Sequence, residues 1–455
     1  MNDGVTRVLE IELVKAAELP EGGAPVLGPG GVRGRIALSS GAGDAPRIAL
    51  TLGSDWSQPV AAVRWLFDQV MRRVRRLLDL SGCQVVLRGD APDNALRALA
   101  LDLRRAFGPA GEHGGVQLTG EDDRYGRSED TFRRWVNEDP STRTSLAIAR
   151  DVLALEGLGG ARGKVETEVL DERALGEEGL NLLLAVGQAS TSSPPRLCLA
   201  RWTPEGHEET SPTMLLGKGI TFDTGGINVK PYESFVSHMR NDMAGAALAY
   251  SLFQHLVVGG YDRPLLLVIP TCENAVGENA MRPGTVIKSY RGPRVKIDHT
   301  DAEGRLILAD ALAYAEDRFQ PLRTFSFATL TTAALQAYGP HATPVHFAEP
   351  DVEAALAQSA LITGEDLHFF PARPWHYEAN RDDEADLKNT ARLTGYMPAS
   401  AGSRNAAHFL LHFARRPLIH ADIFASTWNW GGDHPGTGFG ATGAPLRTFA
   451  LALGR

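Results

Sequence analysis

Two carboxylates and a guanidinium stand at alternate positions in the stretch His299-Thr300-Asp301-Ala302-Glu303-Gly304-Arg305-Leu306. In an extended segment or a tight turn, Asp301, Glu303 and Arg305 would point to one side. Two hard oxygen donors beside a fixed cation suit a divalent metal that works on a polar, partly anionic substrate. Such a triplet also occurs on solvated surfaces, so its weight comes from what stands upstream.

Upstream lies Gly217-Lys218-Gly219-Ile220-Thr221-Phe222-Asp223-Thr224-Gly225-Gly226, running on to Lys230. Its glycines resemble a phosphate loop, but the order G-x-x-x-x-G-K-[ST] is missing. Glycines that let the backbone turn sharply beside an ion fit better, with Lys218 and Asp223 both facing the site. A third motif, Met239-Arg240-Asn241-Asp242-Met243-Ala244-Gly245-Ala246-Ala247, opens a helix rich in small residues. Asp242 there could simply complement the helix dipole. Taken together, Asp223, Asp242, Asp301 and Glu303 supply enough carboxylate to bridge two divalent cations. A lysine in such a cluster either stays charged and neutralises an oxyanion, or loses its proton and binds a metal; burial and nearby cations favour the second.

These motifs need a scaffold. Short apolar strands are expected at Arg35–Leu38, Arg47–Leu52, Gln84–Leu87, Lys164–Val169, Leu182–Val186, Arg196–Ala200, Met214–Leu216, Leu265–Ile269 and Thr324–Ala328. Helical spacing is read at Val63–Leu78, Pro92–Phe107 and Ser145–Leu155. Strands alternating with helices imply an α/β fold whose mixed, mostly parallel sheet is covered by helices and carries its chemistry at strand carboxyl ends. At 455 residues, two domains are expected. The glycine- and charge-rich segment Gly108–Gly126 is the linker candidate, dividing a smaller N-terminal α/β domain (1–125) from a larger catalytic domain (126–455).

Composition narrows the function class. The hydrophobic fraction is 43%, the charged fraction 22% and the net charge −9. That acidity argues against a nucleic-acid partner held by bulk electrostatics. Arg72, Arg73, Arg75 and Arg76 fall on the polar side of an expected helix and read as a solvated face. Cys83, Cys198 and Cys272 have neither metal spacing nor a disulfide framework, which fits a reducing cytoplasm. The stretch from Met1 to Leu13 has no signal-peptide core, and no run reaches the roughly 18–20 apolar residues that cross a bilayer.

The three motifs together resemble the leucyl aminopeptidase (cytosol aminopeptidase) family of dinuclear metal exopeptidases. The family's NTDAEGRL is here HTDAEGRL, its GKGITFDSGG is GKGITFDTGG, and its helix start is MRNDMAGAA. The similarity continues through Val136–Pro140, Ala185–Gln188, Glu273–Val276, Met281–Gly284, Ala328–Thr331, His420–Ile423 and Ala441–Gly443, from about residue 130 to the C-terminus. The resemblance implies two divalent metals, Zn or Mn with Mg or Co as further options. Asp223, Asp301 and Glu303, with the Asp301 carbonyl, would bind one ion. Lys218, Asp223, Asp242 and Glu303 would bind the other. Lys230 and Arg305 would be the catalytic pair, the arginine holding a bicarbonate base and the lysine stabilising the developing gem-diolate. It further implies a cytoplasmic homohexamer that removes N-terminal residues from peptides with a free amino end. Some members also bind DNA, a role the net charge disfavours. A metal phosphoesterase is the second enzyme reading, disfavoured by the absent phosphate loop.

Four positions leave the family's pattern. Asp242 follows Lys230 by 12 residues, one more than is usual, so the MRND string fixes Asp242, not Asn241, as the ligand. His299 replaces asparagine and suits hydrogen bonding behind the ligands better than ligation. Thr332 replaces glycine and Phe424 replaces alanine in the pocket for the first side chain, which Met239 and Thr329 would also line. Larger residues there imply a preference for N-terminal residues smaller than, or shaped differently from, leucine.

Overall fold

The computed structural model describes residues 124–391, 401–429 and 440–454 together with six strands nearer the N-terminus. The latter form one sheet in the order Ala24–Leu27, Arg33–Ser40, Arg47–Ser54, Val8–Lys15, Gln84–Gly89, Gly115–Gln117. The strands expected at Arg35–Leu38, Arg47–Leu52 and Gln84–Leu87 fall within it. The helices expected at 63–78 and 92–107 lie outside the described residues. The segment read as a linker differs: Gly115–Gln117 pairs in parallel with Gln84–Val86, and a helix begins at Arg124. Its glycines signalled turns, but Gly-Val-Gln still offers backbone donors and acceptors to an open sheet edge.

The large sheet has nine strands. In chain order they are β1 (Gly163–Leu170), β2 (Arg196–Pro204), β3 (Thr213–Gly217), β4 (Gly219–Asp223), β5 (Leu265–Asn274), β6 (Arg323–Ala328), β7 (Ala342–His346), β8 (Asp366–Phe370) and β9 (Leu418–Asp422). Their spatial order is β8-β7-β9-β6-β3-β5-β2-β1, with β4 pairing β5. The pairs β9/β6, β6/β3, β3/β5, β5/β4 and β7/β8 are parallel; β7/β9, β5/β2 and β2/β1 are antiparallel. The central strands β3, β4, β5, β6 and β9 therefore end on the same edge.

Those strands read as unbroken apolar runs because both faces are covered. Successive side chains alternate between two cores. Leu265, Leu267 and Ile269 of β5 join Leu215, Phe325 and Phe327 on one face. Leu266 and Val268 join Met214 and Leu216 on the other. Helix α2 (Ala244–Val258) packs on the first face through residues such as Leu248, Leu252 and Phe253. Helix α3 (Gly304–Phe319) packs on the second through Leu306, Leu308 and Leu312. Among the described residues no helix is long and apolar enough to cross a membrane.

The strand expected at Leu182–Val186 is instead helix α1 (Asn181–Gly187). A short, wholly apolar run has no period that separates strand from helix. Leucine and alanine favour helix, and the buried Asp310 carboxylate accepts the amides of Leu182 (2.7 Å) and Leu183 (3.4 Å) at its start.

Candidate metal centre

Several acidic and basic groups of the three motifs sit where a parallel strand or a helix begins or ends. Lys218 follows β3, and Asp223 closes β4. Asp242 lies in a 3₁₀ segment (Val236–Met243) just before α2, rather than inside the helix. Glu303 immediately precedes α3, and Arg305 is in its first turn. The segment 299–305 is thus a turn running into a helix, not a strand. Asp223, Asp301 and Glu303 still offer oxygens within 4.8 Å of one another.

Two buried ion clusters result. The Lys218 ammonium lies 2.8 Å from Asp242 Oδ2 and 2.8 Å from Glu303 Oε1. It also donates to the Thr329 carbonyl at 2.9 Å. Lys230 lies 2.9 Å from Asp223 Oδ2 and contacts Asp301 Oδ1. Burial alone would lower both lysine pKa values, but the surrounding carboxylates outweigh it and hold both above the ordinary lysine value. Asp301 moves the other way. Burial, with Asp223 and Glu303 beside it, pushes it up to about 7 against the pull of Lys230.

The loop between Asp223 and Lys230 is folded tightly around this charge. Gly225 has a φ of 89°, and an added Cβ there would stand 2.5 Å from the Asn228 carbonyl and 3.1 Å from Asp301 Oδ1. Thr300 ties the loop to the first motif: its hydroxyl donates to the Gly225 carbonyl (2.5 Å) and accepts from the Asn228 amide (2.9 Å). Asn274, the last residue of β5, donates to Asp223 Oδ1 (2.8 Å) and to the Thr300 carbonyl (3.1 Å). His299 is exposed. Its Nδ1 accepts the Asp301 amide at 3.2 Å, so it holds the ligand turn and is not among the clustered donors.

Arg305 stands apart from both clusters. Its Nε is buried and has no acceptor among the described residues. Burial pulls its pKa down to about 10, against the charges of Glu303 and Asp422. A buried cation with a free donor fits a small anion. The pocket residues flank the network in sequence. Thr329 is buried and donates to Asp242 Oδ1 at 2.8 Å, Met239 and Phe424 are buried, and Thr332 is exposed at the start of a helix (Thr332–Tyr338).

The donor set fits divalent ions. Four carboxylates face two ammoniums, an excess of buried negative charge. Glu303 Oε2 is buried with no hydrogen-bond partner among the described residues. A buried carboxylate oxygen without a donor is costly unless a cation meets it. Oxygen ligands with one amine suit Zn, Mn, Mg or Co. Thr300, Asn274 and Asp422 carry no role in the sequence reading. Asn274 and Asp422 lie inside motifs shared with the family, which is the signal that could have drawn attention to them.

Comparison with known proteins agrees with this geometry. The model of the cytosol aminopeptidase family, catalytic domain, matches residues 130–450. A "Probable cytosol aminopeptidase" of Desulfovibrio desulfuricans is 38% identical over 262 residues, covering 57% of this chain and 51% of the relative. One of Rhizobium rhizogenes is 37% identical over 313 residues, covering 68% of this chain and 60% of the relative. The chain thus spans about half to three fifths of the length of these relatives. In fold it is similar to the bottromycin maturation enzyme BotP in complex with Mn, with a TM-score of 0.81, 24% identity, and coverage of 98% of this chain and 99% of that one. The chain therefore belongs to the cytosol aminopeptidase family, whose catalytic domain it carries over residues 130–450.

Proposed function

We propose that the chain is a metal-dependent aminopeptidase that removes the N-terminal residue from peptides, working as a cytoplasmic homohexamer. The observation that carries this reading is the cluster of buried Lys218, Asp223, Asp242 and Glu303 with half-buried Lys230 and Asp301 at the carboxyl edge of the sheet. Asp223, Asp301 and Glu303 would hold one divalent ion; Asp223, Asp242, Glu303 and Lys218, its ammonium giving up a proton as the ion binds, would hold the second. The similarly folded BotP is solved in complex with Mn, which supports a divalent metal of this kind. Bound ions would act as Lewis acids toward the scissile carbonyl and bring a water to the nucleophilic state near neutral pH.

The chain's own groups do the rest. Lys230 is held protonated by Asp223 and Asp301, and an ammonium fixed in a largely dry site stabilises negative charge developing on the carbonyl oxygen. Arg305 offers its unpartnered Nε to a bicarbonate, which would take the proton of the attacking water. A free α-amino group could serve as a further metal ligand, which would favour substrates with a free N-terminus. Thr332 and Phe424 would narrow the pocket for the first side chain and select residues smaller than, or shaped differently from, leucine.

A panel of aminoacyl-anilides, each with a free and an N-acetylated amine, tests the reading. The free-amine substrates should be cleaved and the acetylated ones left intact. Glu303→Ala, which removes a ligand common to both ions, should abolish cleavage. Equal cleavage of acetylated substrates, or activity retained in Glu303→Ala, would overturn it.

A further inference from the structure

Behind the two ion clusters lies a buried polar network on β9, β7 and helix α4 (Gly402–Leu411). Asp422, the last residue of β9, is fully buried. It accepts the Leu330 amide at 3.1 Å, the Thr331 amide at 3.4 Å and the Thr331 hydroxyl at 2.8 Å. Ser403 of α4 lies beside it and favours its ionised form. Ser403 in turn lies 3.1 Å from His346 Nε2, at the end of β7. His346 Nδ1 is buried without a partner among the described residues.

The segment gripped by Asp422 begins one residue after Thr329. Thr329 is the point where the loop meets the metal-site residues: its carbonyl accepts from Lys218 (2.9 Å) and its hydroxyl donates to Asp242 (2.8 Å). Asp422 touches neither lysine nor ligand. It holds the backbone that does.

We propose that Asp422, oriented by Ser403 and His346, is a positioning residue for the Lys218–Asp242 half of the metal centre, acting through the 329–331 loop. The assignment rests on the metal reading above. It separates two kinds of residue within that reading: Asp223 and Asp301 meet Lys230 and the 223–230 loop, whereas Lys218 and Asp242 contact the loop that Asp422 fixes, with Glu303 Oε1 reaching across to Lys218. Loss of a group that orients a ligand typically lowers metal affinity about 10- to 100-fold. Here the loss should fall on one of two sites.

The test is calorimetric titration of the metal-stripped full chain with Mn²⁺, alongside kcat and KM at increasing Mn²⁺. The wild type should bind in two steps. Asp422→Ala should weaken one step by about 10- to 100-fold and leave the other within about twofold. Its kcat should recover at saturating Mn²⁺. Asp422→Asn, which keeps an oxygen for the loop amides, should regain part of the lost affinity. Ser403→Ala, which leaves the loop contacts of Asp422 in place, should weaken the same step on the order of tenfold or less. If Asp422→Ala does not fold, Ser403→Ala decides. Unchanged affinities, or equal weakening of both steps, would overturn the positioning role. A wild-type chain that takes up no Mn²⁺ would overturn the metal reading itself, and this assignment with it.

Discussion

Gly304 lies so close to Lys218 that an added Cβ would stand 2.4 Å from Cε and 2.6 Å from Nζ. The lysine has nowhere to retreat, because its ammonium is committed to Asp242, Glu303 and the Thr329 carbonyl. Overpacking of this kind costs about 1–3 kcal/mol, and here the strain is placed on a proposed ligand. Gly304→Ala should therefore lower kcat/KM by about 10- to 100-fold while the chain still folds. Kinetics set beside a thermal melt check this; wild-type kcat/KM would show that the lysine tolerates displacement. The carboxylates were legible in the sequence because the three motifs that carry them occur together and in order, although each alone also fits a solvated surface or a helix start. The parts played by Asn274, Thr329 and Asp422 were not. Asn274 serves Asp223 across 51 positions. Thr329 serves Lys218 with a backbone oxygen, which every residue type possesses.

Strands β3, β4, β5, β6 and β9 bring the site together, since they run parallel and end on one edge. Their apolar runs made most of the sheet readable. Helix α1 was not, because Leu182–Val186 carries no period and its cap, Asp310, is 128 positions away from Leu182. The short segment after β9 belongs to the same scale. Ile423 donates to the Ala328 carbonyl at 2.8 Å, fixing the end of β9 against the end of β6, and Phe424 follows it, buried. If Phe424 narrows the first side-chain pocket, Phe424→Ala should raise kcat/KM for leucyl-anilide relative to alanyl-anilide. One methylene in such a pocket is worth about 1–3 kcal/mol, so a gain of about tenfold or more is expected. An unchanged ratio would place the selectivity elsewhere.

The chain as a whole buries several histidines as neutral rings. Burial lowers His408 and His412 to about 4 and His420 to about 3, and holds His346 well below the ordinary value. A histidine with a folded pKa below its unfolded value of about 6.5 contributes stability that is present above pH 6.5. That contribution is lost as pH falls toward the folded value, at roughly 1.4 kcal/mol per pH unit for a fully buried ring. Asp310 opposes this. Burial pushes it up to about 7, so it favours the folded state as pH falls from 7 toward 4. Asp301 is also pushed up to about 7, and burial raises Asp242 and Asp422, so these carboxyls act with Asp310 against the rings. The sign of the rings' contribution is read from one of them: between pH 7 and pH 5 the urea midpoint of His408→Gln should fall less, or rise more, than that of the wild type; equal changes in the two would contradict it. The most direct test of the metal centre is metal content and activity measured on one preparation of the full chain. Two divalent ions per chain are expected, with cleavage of free-amine anilides lost on chelation and restored by Mn²⁺ or Zn²⁺. Full activity in the metal-stripped chain would contradict the assignment of Lys218, Asp223, Asp242, Asp301 and Glu303 as a catalytic metal site.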